Sequence, residues 1–419
     1  MSARYFRVVD DYTAEDRAML QALYSRNPSS IDHKLEQLRG TSERGRFMDK
    51  YYIGYGHKSI GDCGVTTVFC ENVSLYEAKL IEDSPLFAGQ ESSTRYLDFS
   101  NMRPENIDFE RDRLIQFWLD CYEELLEAAR AYFSYYHPDS KANQHLAFDL
   151  ARCLLPLGVK TNVAWTTSLS HAREHIQKLA VHPHRPAREL AAELHEKLKA
   201  GYPNSFRSSD VIDAHEKFTQ AVWQDPVSDT GDYSDYRSGF AQVDYEPDAL
   251  GRELTRRDDF NSRVHIKDYL DFGSLRDLHR HRPALIPLPY KTLFHHATFL
   301  EKDLYGSMIE RIMGADFVGR LQSQFANLGS EDEDLVTYPL GSSVPCELIT
   351  GIGHFKYIAE LRSRTDVHPT LRAFIFRSCN QLRKSTFGRR YVDTLNIDNS
   401  PAAFMPVEKR AEQTIEEKF

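Results

Sequence analysis

The chain has 419 residues, 41% of them hydrophobic and 27% charged, with a formal net charge of -10. That length favours two domains over a single core. The acidic balance argues against a general nucleic-acid or membrane-surface binder, because phosphate surfaces reward basic proteins.

A polar helical stretch near residues 31–50 leads into YYIGYGHKSIGDCG, whose glycines mark a turn or a close backbone approach. The β-branched run VTTVFCENVSL predicts a strand. Residues 108–135 set Leu114, Phe117, Trp118, Cys121, Leu125, Ala129 and Tyr132 at helical spacing, which predicts a long amphipathic helix. A helix over roughly 143–155 runs into ARCLLPLG, where Pro156 and Gly158 stop it. Further helices start near Ser170 and near Pro186, and the unit closes at GYPNSF, residues 201–206. Residues 207–250, rich in Asp, Ser, Tyr and Gly, read as a linker or the opening of the next domain.

The second half repeats this rhythm. DYLDFGSLRDLHRHR predicts a strand, a Gly-Ser turn and a helix capped by Ser274. YPLGSSVPCELITGIGHFKYIAELRSR echoes LPLGVKTNVAWTTSLSHAREHIQKL, and PTLRAFIFRSCNQLRK is a Pro-started helix like PARELAAELHEKLK. Both halves carry Pro-Leu-Gly followed by a His-containing helix, which predicts an internal repeat of roughly 200 residues.

Two basic clusters carry chemistry. In Glu91-Ser92-Ser93-Thr94-Arg95-Tyr96, small residues let backbone N–H groups approach an anion, Ser93 adds a hydroxyl and Arg95 a fork suited to phosphate. Glu91 suits a base or ribose donor instead. RDLHRHR crowds Arg276, His279, Arg280, His281 and Arg282 into two helical turns, which favours a neutralising anion or carboxylates. The plainer readings are a surface loop and a solvated basic face. Six scattered cysteines form no CxxC and no zinc spacing, so free thiols and no metal site are expected. The start of the chain has no apolar leader and no run approaches the roughly 18 apolar residues of a membrane span, so a cytoplasmic protein is expected. No P-loop or GxGxxG appears.

Together, RHR and ExSxRY resemble the two halves of the signature of flavin-dependent thymidylate synthases, here almost two hundred residues apart. GYGHKSIGD resembles that family's GHxS element, ARCLLPLG its AR-x-x-LP element, and ELRSR its late Leu-Arg helix. The resemblance implies nucleotide binding by Glu91, Ser93, Arg95, Arg152, Arg280 and Arg362. It implies cofactor contacts from His57, Ser59, Asp62, His281 and Arg282. Arg280 and Arg362 are the catalytic candidates, because preorganised arginines stabilise negative charge developing on a uracil oxygen. The family's usual glutamine upstream of RHR is Asp277 here. The first half reads Asp83-Ser84-Pro85 in place of RHR and Val181-His182 in place of Leu-Arg; the second reads PALIPLPY in place of ExSxRY. Pro345-Cys346 is similar to the Pro-Cys of the folate-dependent enzymes, with nothing else of that family around it.

The resemblance implies an α+β fold of two tandem flavin-dependent thymidylate synthase-like domains, 1–206 and 251–419, each a mostly antiparallel sheet with packed helices. It implies composite sites shared between the two, in a homodimer that mimics the family's tetramer. The implied reaction is methylation at C5 of a uracil nucleotide, dUMP to dTMP in type, using FAD, NADPH and methylenetetrahydrofolate, with no nucleic acid or membrane partner. The alternatives are the same fold acting on UMP, or a degenerate nucleotide-binding paralogue. Gly351-Ile352-Gly353, where the family has Asn-x-Arg, favours the latter.

Overall fold

The computed structural model describes residues 12–24, 30–39, 58–84, 86–95, 97–104, 109–138, 143–182, 184–206, 239–244, 263–286, 297–300, 304–329 and 332–404. The fold is α+β, and the described residues form two three-stranded sheets with helices packed beside them. The chain forms two compact units, each assembled from separated segments. One comprises residues 1–73, 77–91 and 162–226, the other 74–76, 92–161 and 227–419. Of the expected linker or domain entry 207–250, residues 239–244 are described and carry a strand, Phe240–Asp244, and the rest lies outside the described residues.

In the first unit, strands β1 (Val65–Ser74), β2 (Ala88–Glu91) and β3 (Lys160–Ser168) form a sheet in the order β1-β3-β2. β2 runs antiparallel to β3, with Ala88 opposite Thr166 and Glu91 opposite Val163. Period-two alternation in β3 buries Val163 and Trp165 and leaves Asn162 exposed. Ser168 caps the following helix, Leu169–Ala180, by accepting from the His171 N–H. Pro186 stands at the start of helix Arg185–Gly201, which buries Ala187, Leu190, Ala191, Leu194 and Leu198 along one stripe.

In the second unit, β4 (Phe240–Asp244), β5 (Arg263–Asp271) and β6 (Ser343–Gly351) form an antiparallel sheet in that order, with Arg263 opposite Gly351 and Asp271 opposite Ser343. The long helix expected over 108–135 spans Glu110–Tyr136 and buries Ile115, Trp118, Leu119, Tyr122, Leu125, Leu126 and Phe133. Trp118 meets Phe299 edge-on at 5.5 Å. Helix Asn143–Ala151 is buried almost throughout and continues as a short 3-10 turn, Arg152–Leu154. One expectation is corrected here. Gly273 and Ser274 do not form a turn with Ser274 as cap; they lie inside helix Phe272–Leu278, and Asp271 is the cap, accepting from the Ser274 N–H at 2.9 Å.

The two Pro-Leu-Gly segments face each other in this unit. Leu157 N–H donates to Tyr338 O and Gly158 N–H to Val336 O, while Leu340 N–H donates to Leu155 O and Gly341 N–H to Cys153 O. Each bond in one set reappears in the other, shifted by 183 residues. Around them the acceptors keep that shift while the donors shift by 197: Leu75 donates to Val159 O and Tyr76 to Leu157 O, as Phe272 does to Ser342 O and Gly273 to Leu340 O. Ala88 opposite Thr166 matches the bridge between Leu285 and Ile349 at the same offsets. That register sets Leu179 against Arg362, a few residues before Val181-His182.

Candidate functional site

Four basic elements from both ends of the sequence meet in one cavity of about 330 Å³ within the second unit. Ser92–Arg95 follow the end of β2 and supply one wall; Arg152 comes from the 3-10 turn after helix Asn143–Ala151. Gly273, Arg276, Asp277 and Arg280 come from helix Phe272–Leu278 and the turn after it, and Arg362 ends helix Ile352–Arg362. Six arginines line the space against two aspartates, so its field favours an anion.

Carboxylates hold most of these arginines in place. Asp149 takes Arg95 bidentately, Nε to Oδ1 at 2.6 Å and Nη2 to Oδ2 at 3.0 Å, and Arg95 Nη2 reaches Asp366 O at 3.4 Å. The Ser93 hydroxyl accepts from the Arg95 N–H at 3.3 Å. Asp277 Oδ2 accepts from both terminal nitrogens of Arg152, and Oδ1 lies 3.5 Å from Arg280 Nη2. Arg364 and Asp366 pair bidentately at the rim. Arg152 Nε is buried with no hydrogen-bond partner among the described residues. An added Cβ at Gly273 would stand 3.1 Å from Asp271 Oδ1 and in ordinary contact, 3.7 Å, with the Arg152 guanidinium.

The electrostatics follow from burial and these neighbours. Burial opposes charge on Asp277, but Arg280, Arg152, Arg95 and Arg362 outweigh it and hold the carboxyl well below the usual carboxylate range. Burial also opposes charge on Arg152, and Asp277 first among its neighbours keeps it protonated, above the ordinary arginine value. Arg362 is different. Its Nε donates to His281 Nε2 at 2.8 Å and its Nη2 to Asp277 O at 2.9 Å, both neutral acceptors, and burial lowers its pKa.

The structure therefore brings Ser93, Arg95, Arg152, Arg280 and Arg362 to one place, while Glu91 ends β2 in the other unit. Of the flavin candidates, Asp62 belongs to the first unit and His281 and Arg282 to the second. His57 and the Ser59 side chain lie outside the described residues. Asp62 accepts a hydrogen bond from the Ser170 hydroxyl, His281 is taken by Arg362, and Arg282 Nη1 lies 3.3 Å from His279 Nδ1. The described side chains among these candidates are thus each engaged with another protein group. Cys346 is no nucleophile: it is 1% exposed in β6, and burial raises its thiol pKa far above the ordinary value.

Sequence reasoning missed Asp149, Arg364 and Asp366. Asp149 left a signal, since a carboxylate inside the otherwise apolar run LAFDLA needs a cationic partner when buried.

Residues 7–204 match the family described as thymidylate synthase complementing protein. That span contains Arg95 and Arg152 but ends before Asp277, Arg280 and Arg362. A UPF0159 protein of Chlamydia pneumoniae is 27% identical over 170 residues, which cover 35% of this chain and 32% of that protein. The chain thus spans about a third of the length of the curated relative it matches. Residues 7–204, a little under half of the chain, are thus similar to the thymidylate synthase complementing protein family.

Proposed function

We propose that the arginine cavity binds a uracil nucleotide and that the protein carries out thymidylate synthase-like reductive methylation at uracil C5. The observation that carries this reading is the convergence of Arg95, Arg152, Arg280 and Arg362 on one cavity from segments that no local structure requires to meet. Arg95, Arg280 and the Ser93 hydroxyl receive the 5′-phosphate, with Arg152 fixed behind them by Asp277. Arg362 faces the pyrimidine and stabilises charge building on its oxygen. A reduced flavin, when bound, supplies hydride, with NADPH as its reductant and methylenetetrahydrofolate as the carbon donor.

The repeated hydrogen-bond register supports a tandem duplication as the origin of the chain. Carried through that register, the positions of Arg280, Arg362 and Arg152 become Asp83, Leu179 and Leu335. Asp83 instead pairs with Lys178 at 2.6 Å, and Leu179 and Leu335 are buried apolar residues. The reading therefore gives one nucleotide per chain, in a homodimer standing for the family's tetramer.

A second reading keeps the nucleotide and drops the reaction. It is favoured by Gly351 and Gly353 at the start of helix Ile352–Arg362 and by the commitment of His281 to Arg362. Absorbance separates the two. Methyl transfer requires a yellow protein, or one that takes up FAD, bleached by NADPH; a colourless protein that still binds UMP or dUMP would leave only the second reading. Titration calorimetry at one site per chain tests the stoichiometry, and two sites would overturn it.

A further inference from the structure

His281 stands in the middle of the RHR triplet and is 5% exposed. Its Nε2 lies 2.8 Å from Arg362 Nε. The rings of His354 and Tyr357 meet it edge-on, each at 5.8 Å. A ring nitrogen facing an arginine N–H serves as an acceptor, so the imidazole is neutral and carries its proton on Nδ1. Burial first, then Arg362, His354 and Arg280, push its pKa down to about 3, in keeping with that assignment.

A guanidinium has five N–H donors in a planar fork. Arg362 spends Nε–H on His281 and one Nη2–H on Asp277 O. Of the three that remain, one on Nη1 and one on Nη2 lie along the end edge of the fork and the second on Nη1 points to the far side, and Arg362 lines the cavity. An arginine tethered at Nε loses less freedom when it meets a ligand, and its fork arrives in one orientation.

We infer that His281 is a positioning residue: by accepting from Nε it fixes which edge of Arg362 the cavity presents, so that Nη1 and Nη2 receive a planar ligand edge bearing adjacent acceptors. The inference rests on the proposed function for the identity of the ligand. It also replaces the sequence expectation of a direct cofactor contact by His281.

The test uses the full chain and two probes, UMP and dUMP, by titration calorimetry. Losing an acceptor to a charged donor costs on the order of tenfold or more in affinity. His281→Phe, which keeps a ring but removes the acceptor, is expected to weaken the better probe by about tenfold. His281→Gln, whose amide oxygen can accept from Nε, is expected to stay within about threefold of wild type. In an Arg362→Ala background, His281→Phe is expected to cost nothing further. Equal binding by wild type and His281→Phe overturns the inference. So does an undiminished loss in the Arg362→Ala background, which would make His281 a ligand contact itself.

A ligand-free measurement covers the case in which His281→Phe does not fold. Ring nitrogen-15 shifts in histidine-labelled protein near neutral pH are expected to show an Nδ1–H tautomer with a hydrogen-bonded Nε2, altered in Arg362→Ala. An imidazolium, or a ring indifferent to Arg362→Ala, rules the positioning role out. Should wild type bind neither probe, the proposed function fails, while the ring shifts still decide the role of His281.

Discussion

Asp277 accepts from both terminal nitrogens of Arg152, at 3.4 and 3.3 Å, with only 8% and 2% of the two side chains exposed. The pair joins a residue of the family-matched segment to one 125 positions later, and it forms the floor of the anion cavity. Removing one partner of a buried pair leaves an uncompensated charge, which costs about 3–5 kcal/mol. Asp277→Ala is therefore expected to lower the urea midpoint sharply. Asp277→Asn keeps the shape and one acceptor, so a smaller loss is expected. An Asp277→Ala protein as stable as wild type would show that Arg152 does not depend on this carboxylate.

Arg95 and Arg280 share the proposed phosphate but differ in what else they hold. The Arg280 side chain is 59% exposed, while Arg95 forks onto Asp149, which is 1% exposed. Both alanine variants are expected to lose the UMP- or dUMP-induced rise in Tm, since a ligand raises stability only by binding the native state. Unliganded stability should separate them. Arg280→Ala is expected to cost about 1 kcal/mol or less, whereas Arg95→Ala removes the bidentate partner of a buried carboxylate and is expected to cost more, on the order of 3–5 kcal/mol. Retention of the full ligand shift by either variant contradicts the shared cavity.

The site was legible in the sequence to the extent that its residues carry local chemistry. Arg95, Arg152, Arg280 and Arg362 stand in short motifs with characteristic neighbours, and all four line the cavity. What organises them was less visible. Asp149 is an ordinary carboxylate in sequence and becomes an anchor only because distant segments meet, Arg95 reaching it across 54 positions and the Asp366 backbone O across 271. Helices announced themselves by periodicity, as Glu110–Tyr136 did. The start of helix Phe272–Leu278 did not, because Gly273-Ser274 mimics a turn while Asp271 performs the capping. The contact between His281 and Arg362 was hidden for a related reason: a motif fixes where a residue stands, not which neighbour its ring nitrogen meets.

Stability is expected to fall as the solution is acidified from about pH 6.5. Burial, as the first cause in each case, depresses the pKa of His175 to about 4, and of His182 and His281 to about 3, from 6.5. Between those values and 6.5 the unfolded chain binds protons that the native protein refuses. The stabilisation is thus complete above pH 6.5 and is lost as pH falls toward 3–4, by roughly 1.4 kcal/mol per pH unit for each histidine inside its window. Urea midpoints at pH 7, 6 and 5 measure it, and His281→Gln should reduce the slope. A midpoint that holds steady or rises on acidification would contradict the buried, neutral state of these rings.

The facing Pro-Leu-Gly segments require glycine because the backbones approach too closely for a side chain. Gly341 N–H and Gly158 N–H each make a 2.7 Å bond across the pair. A Cβ on Gly341 would stand 2.8 Å from the Cys153 Cβ and 2.9 Å from the Cys153 O; on Gly158 it would stand 2.8 Å from the Ile115 Cδ1 and 3.0 Å from the Val336 O. The Ile115 tip can swing aside, whereas the Cys153 backbone cannot without breaking the bond it makes. Gly341→Ala is therefore expected to cost about 1–3 kcal/mol, the usual range for overpacking, and more than Gly158→Ala. Gly319, in helix Ala315–Ala326 with nothing within 4 Å of an added Cβ, serves as the control. There alanine removes a helix penalty and is expected to stabilise by about 0.5–1 kcal/mol. Thermal unfolding of the three variants ranks them, and a Gly341→Ala protein as stable as wild type would mean that the two segments do not meet this closely.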